Sequence, residues 1–479
     1  MNLTSFVSYR TKFFIIIILF FLIEYLFLKQ TPFFWDAVSK SYRANWFFND
    51  NFNQLVLPTA LNTGHPPLWP LMLSVWWKIF GMTLVSSRFL LLIINILVGF
   101  QIITLIDKTI GLRFKYSLII VLIVFLEPTL IAQTTILNND MLMLLFTILA
   151  FNIIAFSNEN KQLLLTIALI GLLFANLRGM LIFIGLIIIQ RLFSFYELDI
   201  SNKKNNIYPY VISSIIFVIF LTYQYSILGW IIKSPTSIAH RSLVGFELII
   251  KNIFSIVRNM MDYGRAVIMV LTVILAFRYL KKYKLSDHII ISKLIISFLV
   301  FSIGLSIFFM FFSNPIGHRY YLISYILVVI LFLMLINVFY NFRYQKYFWS
   351  LILVSFISGH FWIYPSTISQ GWDSSLIYLN YFEGRDNIVR YIEKNNINKA
   401  DVGTNLGLNN IVYSDLKNIE VELVPYADLD LRKNKYVILS NIENSTDNED
   451  IITLKNEWVL LQNFERFGVY VSLYKNPVK

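Results

Sequence analysis

The chain contains no cysteine in 479 residues, which excludes thiol catalysis, disulfide staples and thiolate metal sites. It is also poor in charge: 14% of its residues are charged, against about 25% in soluble domains. With 57% hydrophobic residues and a mean hydropathy of +0.65, the chain reads as a membrane protein. No internal repeat recurs at a fixed period, so the repeat halves common in secondary transporters are missing from the sequence. No nucleotide-binding motif stands out either. The formal net charge of +12 does not point to nucleic acid, because Lys and Arg gather in short clusters between hydrophobic runs and not on one soluble face.

What is present is a series of apolar stretches long enough, or nearly so, to cross about 30 Å of hydrocarbon. About eleven are expected, near residues 13–28, 86–106, 117–136, 141–156, 162–176, 179–193, 208–228, 265–280, 289–312, 320–340 and 348–364. The first follows Arg10 and Lys12 and has no small-residue cleavage site after it, so it reads as a retained helix that also directs insertion. Basic clusters at Arg10 and Lys12, at Lys108, Arg113 and Lys115, at Lys203 and Lys204, at Arg278 to Lys284, and at Arg343 and Lys346 all fall on one side under that count. The N-terminus is then cytoplasmic, in a cytoplasmic (inner) membrane. Outer loops at 31–85 and 229–264 face the other side together with the C-terminal segment.

The expected architecture is a polytopic α-helical membrane protein, residues 1–364, followed by a small mixed α/β extracytoplasmic domain, residues 365–479. In the latter NIVRYIEKN reads as a helix, while KYVILSN and GVYVSLYK alternate as strands. Asp428 and Asp430 in ADLDL form a possible metal motif, but the neighbouring Arg432 and Lys433 favour a solvated turn. No metal or other cofactor is expected.

The chemistry-bearing residues sit at the outward ends of the spans. Asp36 opens the long first loop, and His65, Pro66 and Pro67 precede WPLMLSVWWKIFG, which reads as a helix lying at the interface. Asp140 opens the fourth stretch, Arg178 lies in the hairpin between the fifth and sixth, and Arg319 with Tyr320 opens the tenth. In the second long loop, Arg241 lies within SIAHRS, and residues 247–261 read either as part of a basic lid or as an amphipathic surface helix. Acids and arginines at helix ends commonly serve as caps and interface anchors, and Tyr320 is commonly a belt aromatic. A convergence of two acids and several bases on one membrane face nevertheless suits group transfer. A carboxylate can take a proton from an acceptor hydroxyl, and cations can stabilise a phosphate leaving group.

The order of these motifs resembles the integral-membrane GT-C glycosyltransferases that use polyprenyl-phosphate sugars, including protein O-mannosyltransferases and lipid A aminoarabinose transferases. The resemblance rests on the Asp-led first loop, GHPPLWPLMLSVWWKIFG, EPTLIAQTTILNND, ANLRGML, HRYYLISYILVVILF and QGWDSSL, and covers nearly the whole chain. It implies Asp36 as base on the acceptor and Asp140 as a shaping residue of the same site. It also implies His65, Arg178 and Arg319 as substrate-binding groups. The donor implied is a polyprenyl-phosphate sugar, and the acceptor a lipid, glycan or protein. Ala37 stands where many protein mannosyltransferases have Glu, which counts against a protein hydroxyl. A transporter or flippase and an O-antigen polymerase or ligase are the alternatives; the first lacks midplane charges and the second gives no reason for HPPL.

Overall fold

The computed structural model describes residues 9–112, 116–157, 159–198, 207–235, 242–313, 315–365, 368–405, 408, 411–416 and 426–478. Arg113, Lys115, Lys203, Lys204 and the loop residues His240 and Arg241 lie outside the described residues.

The chain opens with α1 (Tyr9–Leu28), an almost uniformly apolar helix, followed by α2 (Asp36–Asp50) and α3 (Leu68–Phe80). The helix expected after HPP is α3. Helix α2 lies within the segment 31–85, where a loop is expected from the sequence. Then come α4 (Leu84–Thr109), α5 (Ser117–Phe125), α6 (Pro128–Thr134), α7 (Asp140–Phe156), α8 (Gln162–Ala175), α9 (Arg178–Phe195) and α10 (Tyr208–Leu228). Local chemistry explains several boundaries. Thr83 caps α4 by accepting from the Ser86 amide at 3.1 Å, Pro128 occupies the first turn of α6, and Gly229 ends α10 in the left-handed conformation.

The second half contributes α11 (Phe246–Met261), α12 (Arg265–Lys282), α13 (Ile289–Met310), α14 (Leu322–Phe339) and α15 (Phe342–Gly359). Among the described residues, six helices are long and apolar enough to cross a membrane, or up to eight if the bent pairs α5–α6 and α11–α12 each count as one span. The expected spans at 141–156 and 162–176 are apolar helices of 17 and 14 residues. A 14-residue helix rises about 21 Å, short of a full hydrocarbon core. Helix α14 is the centre of the bundle, 78% buried over its apolar window, whereas α1 and α10 are only 17% buried and form its flanks.

The C-terminal region carries α16 (Asn380–Lys394), β1 (Val402–Thr404), α17 (Ile411–Asp415), β2 (Ala427–Asp428), β3 (Tyr436–Ser440), α18 (Asn448–Glu457), β4 (Val459–Arg466) and β5 (Val469–Lys475). The strands form one sheet in the order β2-β1-β3-β5-β4, with β1 parallel to β2 and β3, and β5 antiparallel to β3 and β4. The helix expected at NIVRYIEKN and both expected strands are present. Asp430 heads a turn, accepting from the Arg432 amide and pairing with Lys433 at 3.0 Å, as the solvated reading requires.

This region is stitched to the start of the first loop. The Phe33 amide donates to the Ser414 carbonyl at 2.9 Å and the Ser414 hydroxyl returns a bond to the Phe33 carbonyl at 3.1 Å. Phe34 packs on Tyr378 with ring centroids 4.5 Å apart. The two residues before Trp35 are therefore held against the C-terminal region.

Candidate active site

Asp36 is the first residue of α2, and the preceding Trp35 has φ 46°, a left-handed backbone conformation that a bulky residue rarely takes. The chain holds it there through the Val38 amide, which donates to the Trp35 carbonyl at 2.8 Å, and through stacking of Trp35 on Phe34 at 5.0 Å. This turn aims the first residues of α2 at a cavity of about 830 Å³. Along α2, Asp36, Lys40 and Arg43 follow at four and then three residues, one stripe of the helix, and all three line that cavity.

Arg319 is the hub of the site. Its Nη2 donates to Asp36 Oδ2, its Nη1 lies 2.7 Å from Asp373 Oδ2, and its Nε lies 3.6 Å from Asp140 Oδ2. Asp140 is fully buried and accepts from Arg178 Nη2 at 2.5 Å. The Arg178 guanidinium lies over the Tyr320 ring, 4.0 Å from its centroid. Residues 36, 140, 178, 319 and 320, far apart in sequence, thus meet in one cluster. His65 lines the same cavity.

Three groups absent from the sequence expectation belong to this cluster. Asp373, in the short 3-10 turn Trp372–Ser374, supplies a further carboxylate, and Gln133 of α6 donates to its carbonyl at 2.8 Å. Lys40 donates to Asn138 Oδ1 at 2.6 Å and also to Asn139 Oδ1, just before Asp140. Behind Arg319, His318 is buried and its Nε2 lies 2.8 Å from Asp262 Oδ2. His318 therefore anchors the turn to the α11–α12 junction. The stripe of α2 was a readable signal for Lys40, and QGWDSSL contained Asp373.

The electrostatics separate the roles. The Arg319 guanidinium holds the Asp36 carboxyl down to about 2, although 55% of the Asp36 side chain faces the cavity. Burial lowers the Lys40 ammonium to about 7, against the pull of Asp140 and Asp36. Lys40, Arg43, Arg178, Lys233, Arg258 and Arg319 all line the cavity, outnumbering its carboxylates, so the space suits an anion. The residues between positions 246 and 261 form the amphipathic helix expected there. Its Arg258 reaches the cavity while Phe246, Ile250, Phe254 and Val257 are exposed.

The cavity continues onto apolar side chains from two neighbouring helices, Leu181 and Ile184 of α9 and Phe308 and Phe309 of α13. Ile184 is 51% and Phe308 40% exposed, so this apolar margin of the cavity is open. The arrangement joins a basic, carboxylate-bearing chamber to an apolar slot between α9 and α13.

No protein-family profile matches the chain, and no curated protein matches it. Solved structures do. ArnT from Cupriavidus metallidurans in the apo state matches at a TM-score of 0.53 with 10% identity, covering 97% of this chain and 98% of that one. The same protein bound to undecaprenyl phosphate gives a TM-score of 0.48 and 9% identity over the same shares of both chains. The match to apo ArnT spans both the helical bundle and the C-terminal sheet, so the two chains share one overall fold.

Proposed function

We propose that the protein is a membrane glycosyltransferase that moves a sugar from a polyprenyl-phosphate donor to a hydroxyl of a lipid, glycan or protein acceptor. The observation that carries this reading is the Arg319 cluster at the meeting of a basic chamber and an apolar slot. A polyprenyl-phosphate sugar has the matching form, with an isoprenoid tail for the slot, a phosphate for the cations and a sugar for the chamber. ArnT shares the fold and is a protein found with undecaprenyl phosphate, which agrees with that donor class.

In this reading the donor phosphate takes the Arg319 fork, with Arg178 beside it, and Asp36 is released from its ion pair. The freed carboxylate removes the acceptor proton as the hydroxyl attacks the anomeric carbon, inverting it, and the lipid phosphate leaves towards the arginines. Asp140 and Asp373 hold Arg319 in register. His65 and Tyr320 line the substrate space. Arg241, outside the described residues, remains a candidate donor contact. The accompanying topology has about eleven crossings of the cytoplasmic membrane, with the N-terminus inside. In it the bundle of residues 1–364 and the domain of residues 365–479 turn their site to the outer face.

The test is sugar transfer by membranes containing the wild-type protein or Asp36→Asn, supplied with a panel of radiolabelled polyprenyl-phosphate sugars and endogenous acceptors. Wild-type product with a loss on the order of 10²-fold or more in the variant is expected. Full transfer by Asp36→Asn would remove Asp36 as base, and absence of product from every donor would remove the transferase reading.

A further inference from the structure

Direct transfer from a polyprenyl-phosphate sugar changes the charge on the leaving group. The donor is a phosphodiester with one negative charge. After the C1–O(phosphate) bond breaks and the acceptor O–C1 bond forms, the lipid phosphate is a monoester with two. The acceptor proton must meanwhile leave the reacting atoms. If it stays on Asp36, that carboxyl becomes neutral and adds no positive charge beside the new dianion. A base that becomes cationic on accepting the proton would compensate for both changes at once.

Lys40 stands where such a group is needed. It lies one helical turn beyond Asp36 on the cavity stripe of α2 and lines the same chamber. Its Nζ donates to two amide oxygens, those of Asn138 and Asn139, which a neutral amine can do with its two hydrogens. The position left over on nitrogen is a lone pair in the amine and a third N–H in the ammonium. Two amide acceptors thus serve either protonation state, whereas a carboxylate partner would have locked the lysine in its charged form.

We propose that Lys40 is the final acceptor of the acceptor's proton, passed on from Asp36, and that the ammonium so formed neutralises the second charge of the departing lipid phosphate. The inference rests on the transferase reading above. Charge balances throughout: the donor goes from one negative charge to two, Lys40 goes from neutral to positive, and Asp36 ends as the carboxylate it began as. The ammonium then loses its proton to water as the phosphate departs.

The groups around Lys40 allow this titration near neutrality. Desolvation lowers its pKa to about 7; Asp140, at the start of α7, and Asp36, on its own helix, raise it, while Arg319 and Arg178 lower it. Below that pH the waiting amine is already protonated and turnover falls.

The experiment is competitive acylation of the full-length protein in detergent with acetic anhydride from pH 5 to 11, resolved by peptide mass spectrometry. Undecaprenyl phosphate serves as the probe. The Lys40 labelling midpoint is expected near 7 and is expected to rise when undecaprenyl phosphate binds. A midpoint at the ordinary lysine value, about 10.4, overturns the inference. So does a midpoint that does not move while the lipid demonstrably binds. A wild-type protein that fails to bind undecaprenyl phosphate at all instead removes the donor reading, and the relay with it. A second arm uses Lys40→Arg, which keeps the charge and cannot exchange a proton near neutrality. Binding of undecaprenyl phosphate within about 3-fold of wild type, with transfer lowered at least about 10²-fold, is expected. Transfer by Lys40→Arg at the wild-type rate overturns the relay.

Discussion

Two arginine-centred clusters in this protein use the same chemistry in opposite settings. Arg265 joins Glu127 at 2.7 Å and Thr129 at 2.7 Å, lies over the Tyr325 ring at 4.2 Å, and is sealed, with both charged side chains at most 1% exposed. Arg319 joins Asp36, Asp373 and Asp140, but 12% of its own side chain and 55% of that of Asp36 are exposed to the cavity. The first cluster has no room for a further anion. The second faces open space on the side of its most exposed carboxylate, so a phosphate can take the place of that partner. Enclosure, and not the presence of an ion pair, separates a joint from a site.

The sealed cluster is a joint in a literal sense. Glu127 lies in the break between α5 and α6, bent by 73°, and Arg265 opens α12 just past the break between α11 and α12, bent by 93°. Glu127 also accepts from the Leu130 amide at 2.6 Å and so caps α6, which ends near the Gln133 contact to Asp373. From the other side of the joint, Asp262 holds His318, next to Arg319. The sealed pair thus fixes the two arms that carry Asp373 and Arg319.

Breaking the joint should have the largest effect. Arg265→Met leaves Glu127 buried without its cation and should cost about 3–5 kcal/mol, seen as loss of folded protein in detergent by size-exclusion chromatography. Replacing both partners by apolar residues of similar volume should recover much of that loss, because no uncompensated charge remains. Arg319→Lys should do the reverse. Folded yield stays near wild type, while transfer falls on the order of 10²–10³-fold, because a single ammonium cannot present the fork that reaches several oxygens at once. A variant at Arg319 that unfolds the protein while Arg265→Met leaves it intact would invert the comparison.

The smallest effect concerns a buried carboxyl that belongs to neither cluster. Glu443, 5% exposed beside the cavity residue Asn444, has its pKa raised to about 8 by burial. The folded form keeps its proton to about pH 8, whereas an unfolded Glu loses it near 4.3, so stability falls as pH rises through that window. Glu443→Gln should therefore raise the thermal midpoint at pH 8 and leave it nearly unchanged at pH 4. Equal midpoints of variant and wild type at both pH values would contradict this sign.

These contrasts also show how far the chain could be read before its fold was known. Apolar runs and the return of charge after residue 364 gave the helices and the late strands, because hydrophobic periodicity is local. The amphipathic pattern of residues 247–261 was legible for the same reason. Helix α2 is hard to read from the sequence, although Ala37, Val38, Ser41, Ala44, Asn45 and Phe47 repeat at helical spacing on its buried side. Its composition is too polar to stand out beside membrane helices. Asp36, Asp140, Arg178 and Arg319 were identifiable as charges at the ends of apolar runs. Their convergence on one guanidinium depends on the broken spans, and nothing local in the sequence announces a 93° bend at Asp262 to Gly264. Gly264 does mark the place, with φ 82° and a Cβ position only 2.1 Å from the Ser355 carbonyl oxygen, where no larger residue fits.

The most direct test of the account is binding of radiolabelled undecaprenyl phosphate to purified wild-type protein and to Arg319→Gln, measured at equal folded yield. Exchange of the Arg319 fork onto a lipid phosphate predicts saturable wild-type binding that weakens at least about 10-fold in the variant, the worth of a charge-assisted hydrogen bond of about 1.5–3 kcal/mol. Equal binding by the two proteins would contradict it.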